Sequence, residues 1–293
     1  MKILITGANG MLGSSLCRLY HKKHQVYALH RDKECFTACL ADYSLDLTDT
    51  SKVGEVFNQI NPDLVIHCAS LTSLERCEQN PDLAISANVS VTENVVRSCS
   101  AETKLVYIST DQVYGEADDH SEANMNLQPV NRYGKTKYLG EQKAVEHCPD
   151  CIIVRTNIFG WNIKPRRISS AEWIYHSLKN GEEITLFSDY TFSPIYTIYL
   201  GEIIMELVDM NFTGVINVGS PTHCSKYDFG QQLAGKFEFS QSLIKKGSIV
   251  DYAFKPSRSN NLTLNTQRLS DLGIIAPDYR KSIKKFKQNK LGL

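Results

Sequence analysis

Apolar residues in the first half of the chain follow two alternating rhythms. Continuous runs at Lys2–Thr6, Gln25–Leu29, Asp63–Cys68, Lys104–Ile108 and Cys151–Arg155 have the unbroken apolar character of strands buried on both faces. Tyr43–Leu47 is a shorter run leading into a helix N-cap at Thr48-Asp49. Between the runs, apolar positions recur every three or four residues, as in Leu12, Leu16, Leu19 and Tyr20, which predicts a helix laid on a sheet. Asn80-Pro81 opens another helix, with Pro81 at its first position and Ala84, Ala87, Val91 and Val95 as its inward stripe. Asn88 lies near that stripe. A buried polar side chain needs partners, so Asn88 is either structural or part of a proton path. A further helix is expected around Tyr133, running to about Glu146. Strands alternating with helices predict an α/β fold with a doubly wound parallel sheet.

The alternation breaks after residue 160. Trp161, Pro165, Arg166 and Arg167 precede a helix around Ala171–Lys179, Val215–Val218 is a further strand, and the remainder mixes short elements with Gly/Ser turns. The expected organisation is a first domain over 1–160, with returns to its sheet around 190–219, and a smaller second lobe of 161–189 and 220–293. Residues 115–130 are polar and proline-bearing, a loop or lid rather than an element.

Composition narrows the class. With 293 residues the chain is long enough for two lobes, and 42% hydrophobic with 22% charged residues is the balance of a soluble globular protein. Lys+Arg and Asp+Glu are equal at 32 each, so the whole chain carries no charge footprint of a nucleic-acid or membrane binder. The lysine-rich tail from Arg280 to Lys290 spaces Tyr279, Ile283 and Phe286 as a solvated amphipathic helix would. Nine cysteines in apolar and helical contexts, a strand at the first residues and no apolar run of about 18 residues predict a reduced, cytoplasmic protein. Cys35/Cys39 and Cys148/Cys151 resemble halves of a zinc site, but neither is flanked by the other ligands. No metal is expected.

The candidate chemistry starts at the first strand, which turns directly into Gly7-Ala8-Asn9-Gly10-Met11-Leu12-Gly13 and then a helix. A glycine turn between strand and helix lets the backbone approach a pyrophosphate, and the helix N-terminus supplies N–H donors and a favourable dipole. The second strand ends in His30-Arg31-Asp32. An acidic residue there serves the ribose hydroxyl of NAD, and an arginine the 2′-phosphate of NADP. The cationic Arg31 favours NADP(H), with NAD(H) as the alternative; Asp32 either pairs with Arg31 or faces solvent. Lys104–Ile108 ends in Ser109-Thr110-Asp111, and ligands of parallel sheets sit at the carboxyl ends of strands. Tyr133 and Lys137, four apart on a helix, stand about 5–6 Å from each other at Cβ. The neighbouring cation is expected to lower the phenol toward the working pH, which suits proton transfer to or from a carbonyl or alcohol oxygen. Gly134-Lys135-Thr136 imitates the end of a triphosphate-binding loop, but Pro129 stands where that loop needs glycine.

With these residues together, the sequence resembles the extended short-chain dehydrogenase/reductases. The resemblance rests on Thr-Gly-Ala-Asn-Gly-Met-Leu-Gly at 6–13, Ser-Thr-Asp-Gln-Val-Tyr-Gly at 109–115 and Tyr133-x-x-x-Lys137. More narrowly it resembles the dTDP-4-dehydrorhamnose reductase branch. The stretches that carry this are 72–78, Asn80-Pro81, Asn88-Val89, Arg155-Thr156, Phe192-Ser193-Pro194, 214–219, Asn265-Thr266 and Arg268-Leu269.

The resemblance implies a Rossmann-like fold and NAD(P)H-dependent reduction of a nucleotide-linked 4-keto sugar in polysaccharide biosynthesis. It also implies roles. Tyr133 would donate the proton, Lys137 would hold the nicotinamide ribose, Thr110 would hydrogen-bond the substrate oxygen, and Asn88 would stand behind them. Gly7, Asn9, Gly10, Met11, Leu12, Gly13 and Arg31 would hold the cofactor's phosphates. Asp46 and Leu47 would meet its adenine, and Ala69, Ser70 and Thr72 would line it. Thr72, Leu74, Thr110, Asp111 and Trp161 would touch the sugar nucleotide. A homodimer is the family habit. The branch carries a tyrosine after Ser-Thr-Asp and a tryptophan after the Arg-Thr strand end, where this chain has Gln112 and Ile158. Two other functions fit the same fold: an epimerase or dehydratase that keeps its NAD, and a non-catalytic subunit such as the regulatory β subunit of methionine adenosyltransferase.

Overall fold

The computed structural model describes residues 1–164 and 167–290; Pro165 and Arg166 lie outside the described residues. The first half alternates as expected: β1 (Lys2–Thr6), α1 (Met11–Tyr20), β2 (Gln25–His30), β3 (Ala41–Ser44), α2 (Thr50–Ile60), β4 (Leu64–His67), α3 (Leu74–Gln79), α4 (Pro81–Ile85), α5 (Val91–Arg97), β5 (Lys104–Ile108), α6 (Arg132–His147) and β6 (Ile152–Phe159). Next come α7 (Ser170–Lys179), β7 (Ile184–Phe187), β8 (Thr191–Phe192), β9 (Pro194–Tyr196), α8 (Thr197–Asp209) and β10 (Gly214–Val218). The chain ends with β11 (Cys224–Ser225), α9 (Lys226–Phe237), β12 (Ile244–Gly247), β13 (Asn261–Leu262), α10 (Gln267–Asp271) and α11 (Tyr279–Lys290).

The central sheet runs β10-β6-β5-β4-β1-β2-β3, every pair parallel, with β9 paired to the far end of β6. The order reverses at β1, and the crevice between β1 and β4 opens at the carboxyl ends of those strands, the usual ligand position in such a fold. Each strand is apolar throughout because both faces are covered. Ile3 and Ile5 pack under α1 and α8, while Leu4 points to the side of α2, α5 and α6. A second core, rich in aromatic residues, joins Phe159, Trp161, Tyr175, Phe192, Phe229 and Phe286. It carries the small sheets β11-β8-β13 and β12-β7. Tyr279, Ile283 and Phe286 are the buried stripe of α11, as their spacing predicts. Among the described residues, no helix is long and apolar enough to cross a membrane.

Three local expectations change. The strand expected at Tyr43–Leu47 is β3 at Ala41–Ser44; Asp46 instead folds back to accept the Thr48 N–H and hydroxyl, and Asp49 caps α2. The helix opened by Pro81 is interrupted by a π turn over Ser86–Ser90. One extra residue per turn there rotates Asn88 fully inward, to 1% exposure. The loop over 115–130 is fastened rather than free. His120 stacks on Tyr114 at 5.1 Å and bonds the Thr263 carbonyl at 2.6 Å, and Glu122 accepts the Asn217 N–H at 2.7 Å.

Candidate active site

The glycine turn after β1 is built for close approach. Gly7 has φ +65°, and a Cβ on it would lie 2.9 Å from the Ala69 backbone, just past the carboxyl end of β4. A Cβ on Gly13 would lie 2.4 Å from the Gly7 carbonyl oxygen. Gly10 is the N-cap of α1 and has no side chain to satisfy the first N–H groups, which leaves a donor-lined cradle for an anion. Asn9 holds the adjoining loop by donating to Asp32 Oδ2 (2.9 Å) and the Glu34 carbonyl (2.8 Å), and by accepting the Phe36 N–H (2.9 Å). These residues fit a dinucleotide.

At the end of β2, Arg31 is exposed. Asp32 neither pairs with Arg31 nor faces solvent freely: Lys164 Nζ meets its carboxylate at 2.5–2.6 Å. Lys164, a residue sequence reasoning missed, thus neutralises the carboxylate beside Arg31. The backbone around Asp46 and Leu47 closes the same side, where Asn94 donates to the Leu47 carbonyl at 3.0 Å.

Asn88 bridges the two halves of the site. Its Oδ1 accepts from Ser70 Oγ (2.9 Å) and Leu71 N (2.8 Å), and its Nδ2 donates to the Leu71 carbonyl (3.2 Å) and Thr136 Oγ1 (3.0 Å). Its amide is fully engaged in fixing the segment after β4 against α6. Below it, neutral His67 links Thr6 Oγ1 (2.7 Å) to Thr92 Oγ1 (3.2 Å). Burial holds this imidazole down to about 3. Gly140 makes the helix contact possible, since a Cβ there would lie 2.2 Å from the Tyr107 hydroxyl and 2.8 Å from the Asn88 carbonyl.

α6 starts at Asn131, whose side chain accepts the Gly134 N–H at 2.9 Å. The helix brings half-buried Tyr133 against the Thr110 hydroxyl. Burial raises the phenol above its ordinary value, and the Thr110 hydroxyl opposes this. The expectation that Lys137 would lower it is therefore corrected. Lys137, 3% exposed, directs Nζ to the Ile108 carbonyl (2.7 Å) and over the Tyr107 ring (4.0 Å). Burial holds that ammonium down to about 7, against the pull of Glu141.

Glu141 lies one turn beyond Lys137 and closes a buried chain. It accepts from Ser109 Oγ (2.5 Å) and from Arg155 Nε (3.0 Å) and Nη2 (2.7 Å). Arg155 reaches on to the Tyr114 hydroxyl (3.1 Å), which donates to Asn217 (2.9 Å). Asp111 accepts from Thr110 Oγ1 (3.0 Å) and from Asn157, and burial raises its carboxyl to about 6. Tyr190, next to β8, reaches Gln112, the side chain that stands where the branch carries tyrosine. Lys226 Nζ sits 3.5 Å from the Phe192 ring centroid. Exposed Thr72 and the α3 start at Leu74 flank the cleft.

Trp161 is the candidate that the structure does not bring to the cleft. It is 7% exposed, stacks on Phe286 at 4.0 Å and donates its indole N–H to the Phe286 carbonyl at 2.9 Å. As a substrate contact it is corrected to a packing residue of the second core. Aromatic neighbours brought in from α11 decide this, and local sequence does not reveal them.

The family model described as "RmlD substrate binding domain" matches residues 1–291. The chain is 30% identical to the probable low-salt glycan biosynthesis reductase Agl14 of Haloferax volcanii, over 88% of this chain and 89% of that protein. It is 24% identical to methionine adenosyltransferase 2 subunit beta of Danio rerio, over 93% of this chain and 85% of that one. Its fold superposes with a TM-score of 0.87 on the dTDP-4-dehydrorhamnose reductase of Bacillus anthracis in complex with NADP, at 27% identity, covering 98% of this chain and 99% of the other. A glycine cradle, a Thr–Tyr–Lys set at the sheet's carboxyl edge and a match along nearly the whole chain make this protein a Rossmann-like extended short-chain dehydrogenase/reductase that belongs to the RmlD substrate-binding family.

Proposed function

We propose that this chain reduces the keto group of a nucleotide-linked 4-keto-6-deoxysugar with NAD(P)H, Tyr133 acting as proton donor. The observation that carries the reading is the convergence of Thr110, Tyr133 and Lys137 beside the glycine cradle. When bound, the nicotinamide supplies hydride to the carbonyl carbon. The chain's own residues handle the oxygen. Thr110 hydrogen-bonds it, a contact that strengthens as negative charge develops there, and the Tyr133 O–H gives up its proton to it. The phenol is protonated at neutral pH, as a donor must be; burial weakens it as an acid, so the transfer depends on the Thr110 contact and on the charge that develops at the substrate oxygen. Lys137 has two further N–H donors besides the one directed to Ile108, for the hydroxyls of the nicotinamide ribose. Asn88, fully hydrogen-bonded, acts as a positioning residue for Ser70, Leu71 and α6. Arg31, with Lys164 neutralising Asp32, favours the 2′-phosphate of NADP(H). The sugar nucleotide sits between the 1–160 domain and the second lobe, facing Thr72, Leu74 and Asp111.

The test is NADPH absorbance with purified protein and a dTDP-4-keto-6-deoxysugar. Stoichiometric NADPH oxidation is the expected result. NAD⁺ that co-purifies tightly, with sugar turnover but no net NADPH consumption, would transfer the protein to the epimerase or dehydratase reading. The likeness to the methionine adenosyltransferase subunit favours one other reading, a non-catalytic partner protein. A stoichiometric enzyme partner in a pull-down, with no turnover, would establish that reading instead.

A further inference from the structure

The connection from β2 to β3 is unusual for a parallel pair. Such crossovers normally carry a helix that packs on the sheet, yet residues 31–40 contain neither helix nor strand. What the segment does contain is a set of metal-type donors. A ring nitrogen of His30, the Cys35 Sγ and a carboxylate oxygen of Asp42 lie within 4.8 Å of one another, and Cys39 Sγ is 3.9 Å from Cys35 Sγ. Cys35-x-x-x-Cys39 alone is half a site; β2 and β3 bring the other two donors to it.

We propose that His30, Cys35 and Asp42 bind one zinc ion that staples this crossover beside the glycine cradle, with Cys39 turning in from beside Cys35 as the fourth ligand. Three observations carry the proposal. The first is spacing. In a tetrahedral zinc site with bonds of about 2.3 Å to sulfur and 2.0–2.1 Å to nitrogen or oxygen, two sulfurs stand roughly 3.8 Å apart and a nitrogen and oxygen roughly 3.3 Å. The structure has 3.9 Å for the sulfur pair and 3.0 Å for His30 Nε2 to Asp42 Oδ2. The second is orientation. His30 Nδ1 faces the Asp32 carbonyl at 3.1 Å, so a neutral ring carries its proton there and turns the Nε2 lone pair toward the Asp42 carboxylate. In that tautomer two lone pairs face each other, and the contact is a place for a cation; a ring protonated on both nitrogens would fill it with an N–H instead. The Nδ1–H to carbonyl bond is also the outer contact that orients metal-bound histidines. The third is donor chemistry. Two thiolates, one imidazole and one carboxylate suit zinc over magnesium or calcium, which prefer all-oxygen sites. Binding displaces the two thiol protons to solvent and changes no oxidation state.

The experiment is elemental analysis of the full chain purified without chelator, paired with cobalt substitution. About one zinc per chain is expected, with a thiolate-to-cobalt charge-transfer band and tetrahedral d–d bands after exchange. Cys35→Ser should abolish the charge-transfer intensity contributed by that sulfur and lower zinc occupancy, and Asp42→Asn should weaken zinc retention against a competing dye while the fold, followed by circular dichroism, persists. Wild-type protein that is folded, metal-free and unable to take up zinc or cobalt would overturn the proposal, leaving an ordinary hydrogen bond between His30 and Asp42. A Cys35–Cys39 disulfide in protein purified without reductant would overturn it, as would zinc retained undiminished in Cys35→Ser.

Discussion

Replacing Arg155 with methionine tests whether the buried chain behind the site holds its frame. Arg155 and Glu141 have side chains only 4% and 5% exposed. The substitution removes three N–H donors, at 3.0 and 2.7 Å to Glu141 and 3.1 Å to the Tyr114 hydroxyl. Tyr114 keeps Asn217, but among the described residues Glu141 keeps only the Ser109 hydroxyl. An uncompensated buried carboxylate costs about 3–5 kcal/mol. At about 2–4 °C per kcal/mol, that lowers Tm by roughly 6–20 °C. The double variant Glu141→Leu/Arg155→Met removes both charges. It orphans only the Ser109 hydroxyl, so it should sit roughly 1–3 kcal/mol below wild type, more stable than Arg155→Met alone. Urea unfolding followed by circular dichroism at neutral pH measures both. The reasoning fails if Arg155→Met costs under about 1 kcal/mol, or if the two single costs simply add in the double variant.

Other consequences follow from the same geometry. Gly13→Ala places a Cβ 2.4 Å from the Gly7 carbonyl, so it should cost about 1–3 kcal/mol and abolish NADPH binding read by fluorescence; unimpaired binding would remove the cradle from the account. Arg31→Ala should weaken NADPH roughly ten- to hundredfold, the loss of a charged hydrogen bond, while NADH affinity stays unchanged; equal effects on both would refute the 2′-phosphate assignment. Lys137 is held down to about 7 in the fold against an ordinary value of about 10.4. The unfolded chain therefore binds more protons between those values, and the stability of wild type relative to Lys137→Met should rise with pH across that window, by at most about 1.4 kcal/mol per unit. A gap independent of pH from 6 to 10, tested by urea titration at about five pH values, would contradict the burial of its charge.

Much of this frame is legible in the amino-acid sequence. Continuous apolar runs identify β1, β2, β4, β5 and β6 because both faces of a parallel sheet are covered, and the glycine turn marks the cradle because a Cβ has no room at Gly7 or Gly13. The π turn was not readable. A single inserted residue leaves Ala84, Val91 and Val95 inward and alters only how far Asn88 swings. Lys164, Tyr190 and Lys226 are not legible for another reason, since each lies beyond β6 and meets Asp32, Gln112 or Asp111 only through tertiary folding. One signal did exist at Lys226. The capping box of Ser225 and Asp228 marks a helix start, and a lysine there opposes the helix dipole. His30 and Asp42 likewise meet Cys35 only once β2 and β3 are paired. Trp161 shows the converse failure: the resemblance, whose tryptophan follows the Arg-Thr strand end, implies a substrate contact at a side chain that α11 takes for the core.

The central claim is that Tyr133 donates the proton in a reduction paid in NADPH, and Tyr133→Phe tests it most directly. With a dTDP-4-keto-6-deoxysugar and NADPH, the account predicts that kcat falls about 10²–10⁴-fold, while NADPH binding, read by fluorescence, falls far less. Turnover by Tyr133→Phe equal to that of the wild-type protein would contradict it.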